Sequence, residues 1–270
     1  MLENLAQLWQ AVLLGIVEGL TEFLPISSTG HLIIFSDLLK FQGSLGGTFE
    51  IFIQLGAVLA VVFYYRGDLW QQVRTVPHNR TVQRFWLNIL IAFLPAALVG
   101  VLLHDWIKEV LFTPAVVASA LLLGGVIILL VERRDHSVGI SSVYSVSPRQ
   151  ALGVGVAQIV ALIPGASRAA STIIGGLLTG LDRPTATSFS FYLAIPTLGA
   201  ATVYDLATNL DQVSSSDALN LLVGTVVSFL VSLLVIRWLL GYISNHDFKI
   251  FGYYRIVVGL VIVAWFYLVV

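Results

Sequence analysis

The sequence predicts an all-α polytopic membrane protein built as an inverted-topology repeat, each half a re-entrant helix hairpin followed by three transmembrane helices. Three observations carry this prediction. First, the chain of 270 residues is 57% hydrophobic and only 11% charged, where soluble domains carry roughly 25% charged residues; the mean hydropathy is +0.92. Second, continuous apolar runs recur at Phe85–Leu103, Ala115–Val131, Leu219–Leu240 and Ile256–Val270. A spanning helix needs about 20 such residues, whereas a barrel strand would alternate over about ten. Third, two further apolar segments are broken near their middles by proline and small polar residues, "FLPISSTGH" and "LIPGASRAAS". Broken backbone at membrane depth is tolerated only where it faces protein or a watery cavity.

In chain order, residues 6–40 form the first re-entrant hairpin, followed by spans near 49–66, 84–104 and 113–132. Residues 148–180 form the second hairpin, followed by spans near 186–208, 216–240 and 250–270. The whole of 1–270 is one membrane domain, with repeat one over 1–135 and repeat two over 148–270. Four matches in the same order support the repeat: "WQAVLLGIVEGLTEFLP" (9–25) with "RQALGVGVAQIVALIP" (149–164), "TFEIFIQLGA" (48–57) with "SFSFYLAIPT" (188–197), "WLNILIAFLPAALVGVLL" (86–103) with "ALNLLVGTVVSFLVSLLV" (218–235), and the last helices starting at Ala115 and Arg255. Three spans per half is odd, so the second half enters from the opposite side, and sites are expected near the midplane where the broken segments meet.

Charge gives the orientation. Arg66, Arg74, Arg80, Arg84, Arg133, Arg134, Arg149, Arg183, Arg237, Lys249 and Arg255 share one side in this arrangement, and only Lys40 and Lys108 fall on the other. The basic side is expected to be cytoplasmic, with both termini and the 104–113 and 208–217 loops outside. The N-terminus "MLENLAQLWQ" lacks the basic start and the cleavage site of a signal peptide. The chain has no cysteine, which excludes disulfides and thiolate metal sites. The net charge of −1 says little about partners. The bilayer itself is an expected partner, a homodimer is an open one, and no nucleic acid is expected.

The hairpins hold the chemistry. Glu18 and Glu22 lie four residues apart on one helix face, and ionisable groups at membrane depth cost roughly 2.5–3.5 kcal/mol on insertion scales. They either serve a site or line a vestibule. Pro25 stops that helix, and Ser27 or Ser28 caps the next, whose free N–H groups make an anion site suited to phosphate. In the second hairpin Pro164 and Gly165 break the chain, Ser167 can cap, and Arg168 stands at the tip. Arg168 suits bidentate phosphate recognition and can also balance the glutamates. His31, three residues after Ser28, either tunes that serine and moves protons or bonds a carbonyl or a glutamate. Gln54 lines the cavity or joins two helices. The halves are not equivalent: Gln158 stands where the first half has Glu18, and Ala161 or Leu162 where it has Glu22. A phosphate beside two carboxylates needs a cation, so Mg²⁺ or Ca²⁺ held by Glu18 and Glu22 is expected from charge balance.

"EGLTEFLPISSTGHL" (18–32) and "PGASR" (164–168) resemble the two signature motifs of the undecaprenyl-diphosphate phosphatases, the bacitracin-resistance phosphatases of bacterial membranes. The resemblance covers the whole chain in length, hydropathy and motif placement. The first motif is long and specific. The second departs from the family, which usually reads Ser-Gly after the arginine where Ala169 and Ala170 stand here, so that Ser167 or Ser171 would have to compensate for a missing hydroxyl. The resemblance implies hydrolysis of a polyprenyl diphosphate to recycle a lipid carrier for peptidoglycan, at a divalent-metal-dependent site opening outward from the bacterial inner membrane. Glu18, Glu22, Ser28, His31 and Arg168 would be catalytic, and Ser27, Thr29, Gly30 and Ser167 would help hold phosphate. The expected mechanism is attack by Ser28 helped by Glu22 or His31, with direct attack by water polarised by Glu22 as its rival. An inverted-repeat secondary transporter or lipid flippase is the alternative from another class.

Overall fold

The computed structural model describes residues 2–40, 48–134, 136, 139–209 and 218–266, which are almost wholly helical, with one isolated bridge between Ile140 and Leu181. The first hairpin is α1 (Leu2–Thr21) and α2 (Ser28–Leu38), joined by the turns of residues 22–27. Then come α3 (Thr48–Tyr64), α4 (Arg66–Thr75), α5 (Arg80–Leu102), the short α6 (His104–Trp106) with a π-helical turn over Ile107–Leu111, and α7 (Pro114–Val131). The second hairpin is α8 (Pro148–Ile159), a 3₁₀ turn at Val160–Leu162, and α9 (Arg168–Leu178). The chain ends with α10 (Arg183–Asn209), α11 (Ala218–Ile243) and α12 (Lys249–Ala264).

Local chemistry sets these boundaries. Asn79 starts α5 by accepting from the N–H groups of Thr81 and Val82. Thr113 caps α7 with Pro114 in the first turn, and Ser147 with Gln150 forms a reciprocal capping box on α8. The exposed faces are apolar: Leu98, Leu123, Leu222 and Leu234 all point outward. A helix apolar all round belongs in lipid.

Four described helices are long and apolar enough to cross a membrane: α5, α7, the Arg183–Tyr204 part of α10, and α11. The number is five if α3 and α4, bent by 67° at Tyr65, form one span. Six were expected. The difference lies in α3, which turns away at Tyr65, and in α12, whose expected end at 267–270 falls outside the described residues, as does most of the 208–217 loop. The 66–84 segment, expected as a loop, carries α4.

Four segments expected on the basic side do meet at one end. The Gln72 amide donates to Tyr144 Oη at 2.9 Å and accepts from Trp86 Nε1 at 3.0 Å. Buried Glu132 takes the Arg183 Nε–H at 3.0 Å and the Phe248 backbone N–H at 3.0 Å. A cavity of about 720 Å³ opens at this end between α4, residues 141–144 and α10, and none of the expected site residues lines it. At another point α1 and α3 pack on α11, α8 on α5, and α7 on α12. Small residues allow these approaches: a Cβ on Gly15 would lie 2.7 Å from Gly224 O, and one on Gly155 would lie 2.6 Å from Ala92 O.

Candidate active site

Each hairpin ends its first helix at a break and starts its second on a serine. Ser27, not Ser28, is the cap of α2, with φ 74 and ψ 102; its Oγ accepts from Gly30 N–H at 3.4 Å. Ser167 caps α9 with φ 71 and ψ 119, and its Oγ accepts from Ala170 N–H at 3.2 Å. The left-handed backbone turns each chain sharply into its helix. It is costly for a residue with a Cβ, and such strain gathers at functional sites. In both helices the caps take the third N–H, while those of the first two residues, Ser28 and Thr29 in α2, have no intrahelical partner by construction.

The hairpins meet at Glu22. Its Oε2 accepts from Ser28 Oγ at 2.6 Å, and its Oε1 accepts from Arg168 Nη2 at 3.0 Å. One carboxylate thus holds a hydroxyl from the first hairpin and a guanidinium from the second; the two charged side chains are nearly removed from solvent and Ser28 is half-buried. Arg168 is steadied further: Nη1 donates to Ser190 O and Oγ, each at 3.3 Å, and the guanidinium lies 5.5 Å from the Phe23 ring centroid. Its Nε is buried without a hydrogen-bond partner among the described residues. A buried donor left over beside a helix N-terminus is a fitting observation for an anion site.

Glu18 lies one turn before Glu22 and is 1% exposed. Among the described residues no hydrogen bond reaches its carboxylate, and Glu22, Glu50 and Arg168 lie near enough for their charges to interact with it. Two hard carboxylates one turn apart fit a divalent cation whose other ligands come from substrate oxygens and water. No group of three His, Cys, Asp or Glu side chains forms a complete ligand set among the described residues.

His31 turns away from Ser28. Its Nδ1–H donates to Ser27 O at 2.7 Å, so in the neutral ring Nε2 accepts from Tyr254 Oη, also at 2.7 Å. Of the sequence alternatives, the bond to a carbonyl is the one present. Thr29 is half-buried in the first turn of α2 and Gly30 is buried against Leu121. Gln54 is half-buried on α3, with no described hydrogen bond to the site. Ser171 Oγ donates back to Ser167 O at 2.9 Å, so its hydroxyl is used by its own helix. Sequence reasoning missed Ser190, Thr172, which shares a 2.6 Å hydrogen bond with it, and Tyr254. Ser190 and Thr172 stand among other small polar residues, and Tyr254 stands between Tyr253 and Arg255, so nothing local singles them out and only their partners on other helices do. Glu50 was within reach, being an acid at the start of an apolar span.

The family model of bacitracin resistance protein BacA matches residues 11–261. Curated relatives named undecaprenyl-diphosphatase align over nearly the full length. The protein of Methylobacillus flagellatus is 51% identical, covering 96% of this chain and 98% of its own. That of Laribacter hongkongensis is 49% identical, covering 96% and 95%. That of Bordetella pertussis is 46% identical, covering 99% of each. With its motifs and helices in the expected order and this match over most of its length, the chain belongs to the bacitracin resistance protein BacA family.

Proposed function

We propose that this protein hydrolyses undecaprenyl diphosphate to undecaprenyl phosphate and inorganic phosphate, recycling the lipid carrier for envelope polymers and conferring bacitracin resistance. The observation that carries the reading is the junction at Glu22, where the Ser28 hydroxyl and the Arg168 guanidinium share one carboxylate beside two helix N-termini. Relatives of about 50% identity named for this activity support the same reading. Nothing in the comparisons favours the transporter or flippase.

The two halves are an inverted repeat, and packing supports it. Under the sequence alignment, Gly15 corresponds to Gly155 and Gly224 to Ala92. The close pair Gly15–Gly224 in one half-and-half contact therefore reappears as Gly155–Ala92 in the other. The same exchange relates α1 on α11 to α8 on α5, while α7 on α12 maps onto itself. Such swapped contacts are what a pseudo-two-fold axis produces. The hairpins are re-entrant, the basic end is cytoplasmic, and the site opens to the periplasmic side of the inner membrane.

The polyprenyl tail lies along the lipid-facing helices. The diphosphate sits on the N-terminus of α2, held by the N–H groups of Ser28 and Thr29, with Ser27, Gly30 and Ser167 shaping the turns around it. Arg168, through its spare Nε–H and by sharing itself between Glu22 and phosphate, stabilises the charge that develops on the transferring group. The Ser28–Glu22 hydrogen bond is the geometry of an activated nucleophile. Ser28 Oγ bonds to the terminal phosphorus as the bond to the bridging oxygen breaks, the Oγ proton passes to Glu22, and undecaprenyl phosphate leaves. Water then cleaves the phosphoserine and the proton returns to Ser28. His31, held by Ser27 O and Tyr254, braces the turn. A Mg²⁺ or Ca²⁺ held by Glu18 and Glu22 would supply charge neutralisation for the diphosphate.

Purified protein in detergent, given undecaprenyl diphosphate and a divalent cation, is expected to release inorganic phosphate; no release would sink the reading. A phosphoserine trapped at Ser28 distinguishes the covalent route from direct attack by water. Ser28→Ala retaining most of the turnover would exclude the covalent route.

A further inference from the structure

Arg255 is the largest fully buried side chain of the described core, at 0% exposure, on the apolar helix α12. No carboxylate pairs with it among the described residues. Its five donor positions are all spent on backbone carbonyls: Nε on Leu121 O at 3.4 Å, Nη1 on Pro25 O at 3.3 Å and Ala166 O at 3.0 Å, Nη2 on Ala120 O at 2.9 Å and Gly165 O at 3.0 Å. Three of these carbonyls belong to the hairpin breaks. Pro25 O lies just before the Ser27 cap, and Gly165 O and Ala166 O just before the Ser167 cap. The other two belong to α7, which anchors the fork.

We propose that Arg255 is a positioning residue for the reaction: its guanidinium ties the two hairpin tips together, so that Arg168 is delivered to Glu22 and Ser28. The inference rests on the proposed phosphatase activity of that same site. Two facts make it more than the satisfaction of stray carbonyls. Among the described residues, one hydrogen bond joins the hairpins directly, Arg168 to Glu22, and that bond is part of the chemistry. The register therefore has to be held by something else, and Arg255 is the side chain that touches both breaks. Room has also been made for it: a Cβ on Gly124 of α7 would come within 2.7 Å of the Arg255 Cζ. The planar fork fixes distance and angle together, which a lysine cannot do. Its neighbour Tyr254 holds His31 on the first hairpin, so consecutive residues of α12 brace the site from one side.

The test uses the full chain in detergent. Arg255→Met removes the fork, and Gly124→Ala keeps every hydrogen-bonding group but places a methyl where the guanidinium lies. Each is expected to lower kcat by about 100-fold, as misplacement near 1 Å does, with KM within about threefold because tail binding is untouched. Combined with Arg168→Lys, each is expected to cost little beyond the worse single change, since both act on one junction. A merely structural role would lower the folded fraction and multiply with Arg168→Lys, which would overturn the proposal. So would kcat within about threefold of the parent for both folded variants. If Arg255→Met does not fold, Gly124→Ala gives the answer. An activity-independent reading comes from spin labels: the chain has no cysteine, so Leu38→Cys and Leu178→Cys place one label on each hairpin. The distance distribution is expected to broaden in both variants, and an unchanged distribution sinks the clamp. A parent that releases no phosphate while its variants broaden would reject the phosphatase reading and leave the clamp standing.

Discussion

Ser27 and Ser167 take the same left-handed turn, φ 74 and φ 71, and each caps an 11-residue helix through its own hydroxyl. One residue further on, the hairpins part. The first presents Ser28, and the second presents Arg168 at the same helical position. One helix earlier, Glu18 of the first corresponds to Gln158 of the second. The Gln158 amide donates to Ala92 O at 3.4 Å and accepts from Thr197 Oγ1 at 3.3 Å, knitting α8 to α5 and α10. Glu18 has no such bond among the described residues and faces Glu22 and Arg168 instead. Both hairpins keep the same positive-φ serine cap and the same first helical turn, the geometry that the proposed anion site uses. The side chains differ: one wall brings a hydroxyl and carboxylates to the junction and the other brings a guanidinium, the division that the proposed reaction calls for. A device with two equal sites would have no reason for this division.

The most damaging way to break the comparison is to remove the second hairpin's contribution. Arg168→Ala is expected to lower turnover by about 10³-fold or more, the scale of an arginine that stabilises a transferring phosphoryl group. Glu22→Gln should fall comparably, and the double variant should be hardly worse than either single, because both remove the same junction. Phosphate release by the purified variants, normalised to folded protein, checks both statements. Multiplying losses would mean that the two residues act separately.

A smaller effect comes from making the first hairpin resemble the second. Glu18→Gln installs the residue that Gln158 already is. Turnover is expected to fall about 100-fold, and the divalent cation concentration giving half-maximal phosphate release should rise about tenfold, as for loss of a group that supports a metal. An unchanged metal titration would remove Glu18 from the proposed cation site. Smaller again is Tyr254→Phe. It deletes one hydrogen bond to His31 Nε2, worth about 1 kcal/mol, and is expected to cost up to about tenfold in turnover.

These residues divide by how far their partners lie along the chain. The breaks at Pro25 and at Pro164–Gly165 were legible because proline, glycine and small polar residues stand out in apolar sequence. The meeting of Arg168 with Glu22 followed from the expected inverted repeat, which brings the two broken hairpins together from opposite sides. His31 was not legible in the same way. Helical spacing places it near Ser28, but its ring is claimed by Ser27 O one turn back and by Tyr254, more than 220 residues away. Arg255 was read as one more basic residue at the cytoplasmic end, because nothing local says that an arginine will be solvated by five carbonyls. The bend at Tyr65 was missed for a similar reason: α4 is held by Gln72 bonding to Tyr144 and Trp86, partners from two other segments. Local breaks and charge can be read along the chain, whereas polar bridges between apolar helices need the packing.

Ala169→Ser gives the finest test of the division between the hairpins. The motif that this stretch resembles is expected to carry serine here, and its absence raised the question of whether a phosphate ligand had been lost. Ala169 corresponds to Thr29 of the first hairpin, yet the two face different surroundings. Thr29 is half-buried beside the site, while Ala169 is 0% exposed and packs in the main core with Ile173 and Phe189. A hydroxyl added at 169 would face that core or bond back along its own helix, as Ser171 and Thr172 do. Turnover of Ala169→Ser is therefore expected to stay within about twofold of the parent, measured by phosphate release at saturating lipid. A gain of tenfold or more would mean that the second hairpin offers phosphate a hydroxyl as well as a guanidinium, and the two walls would be less specialised than Ser28 and Arg168 make them.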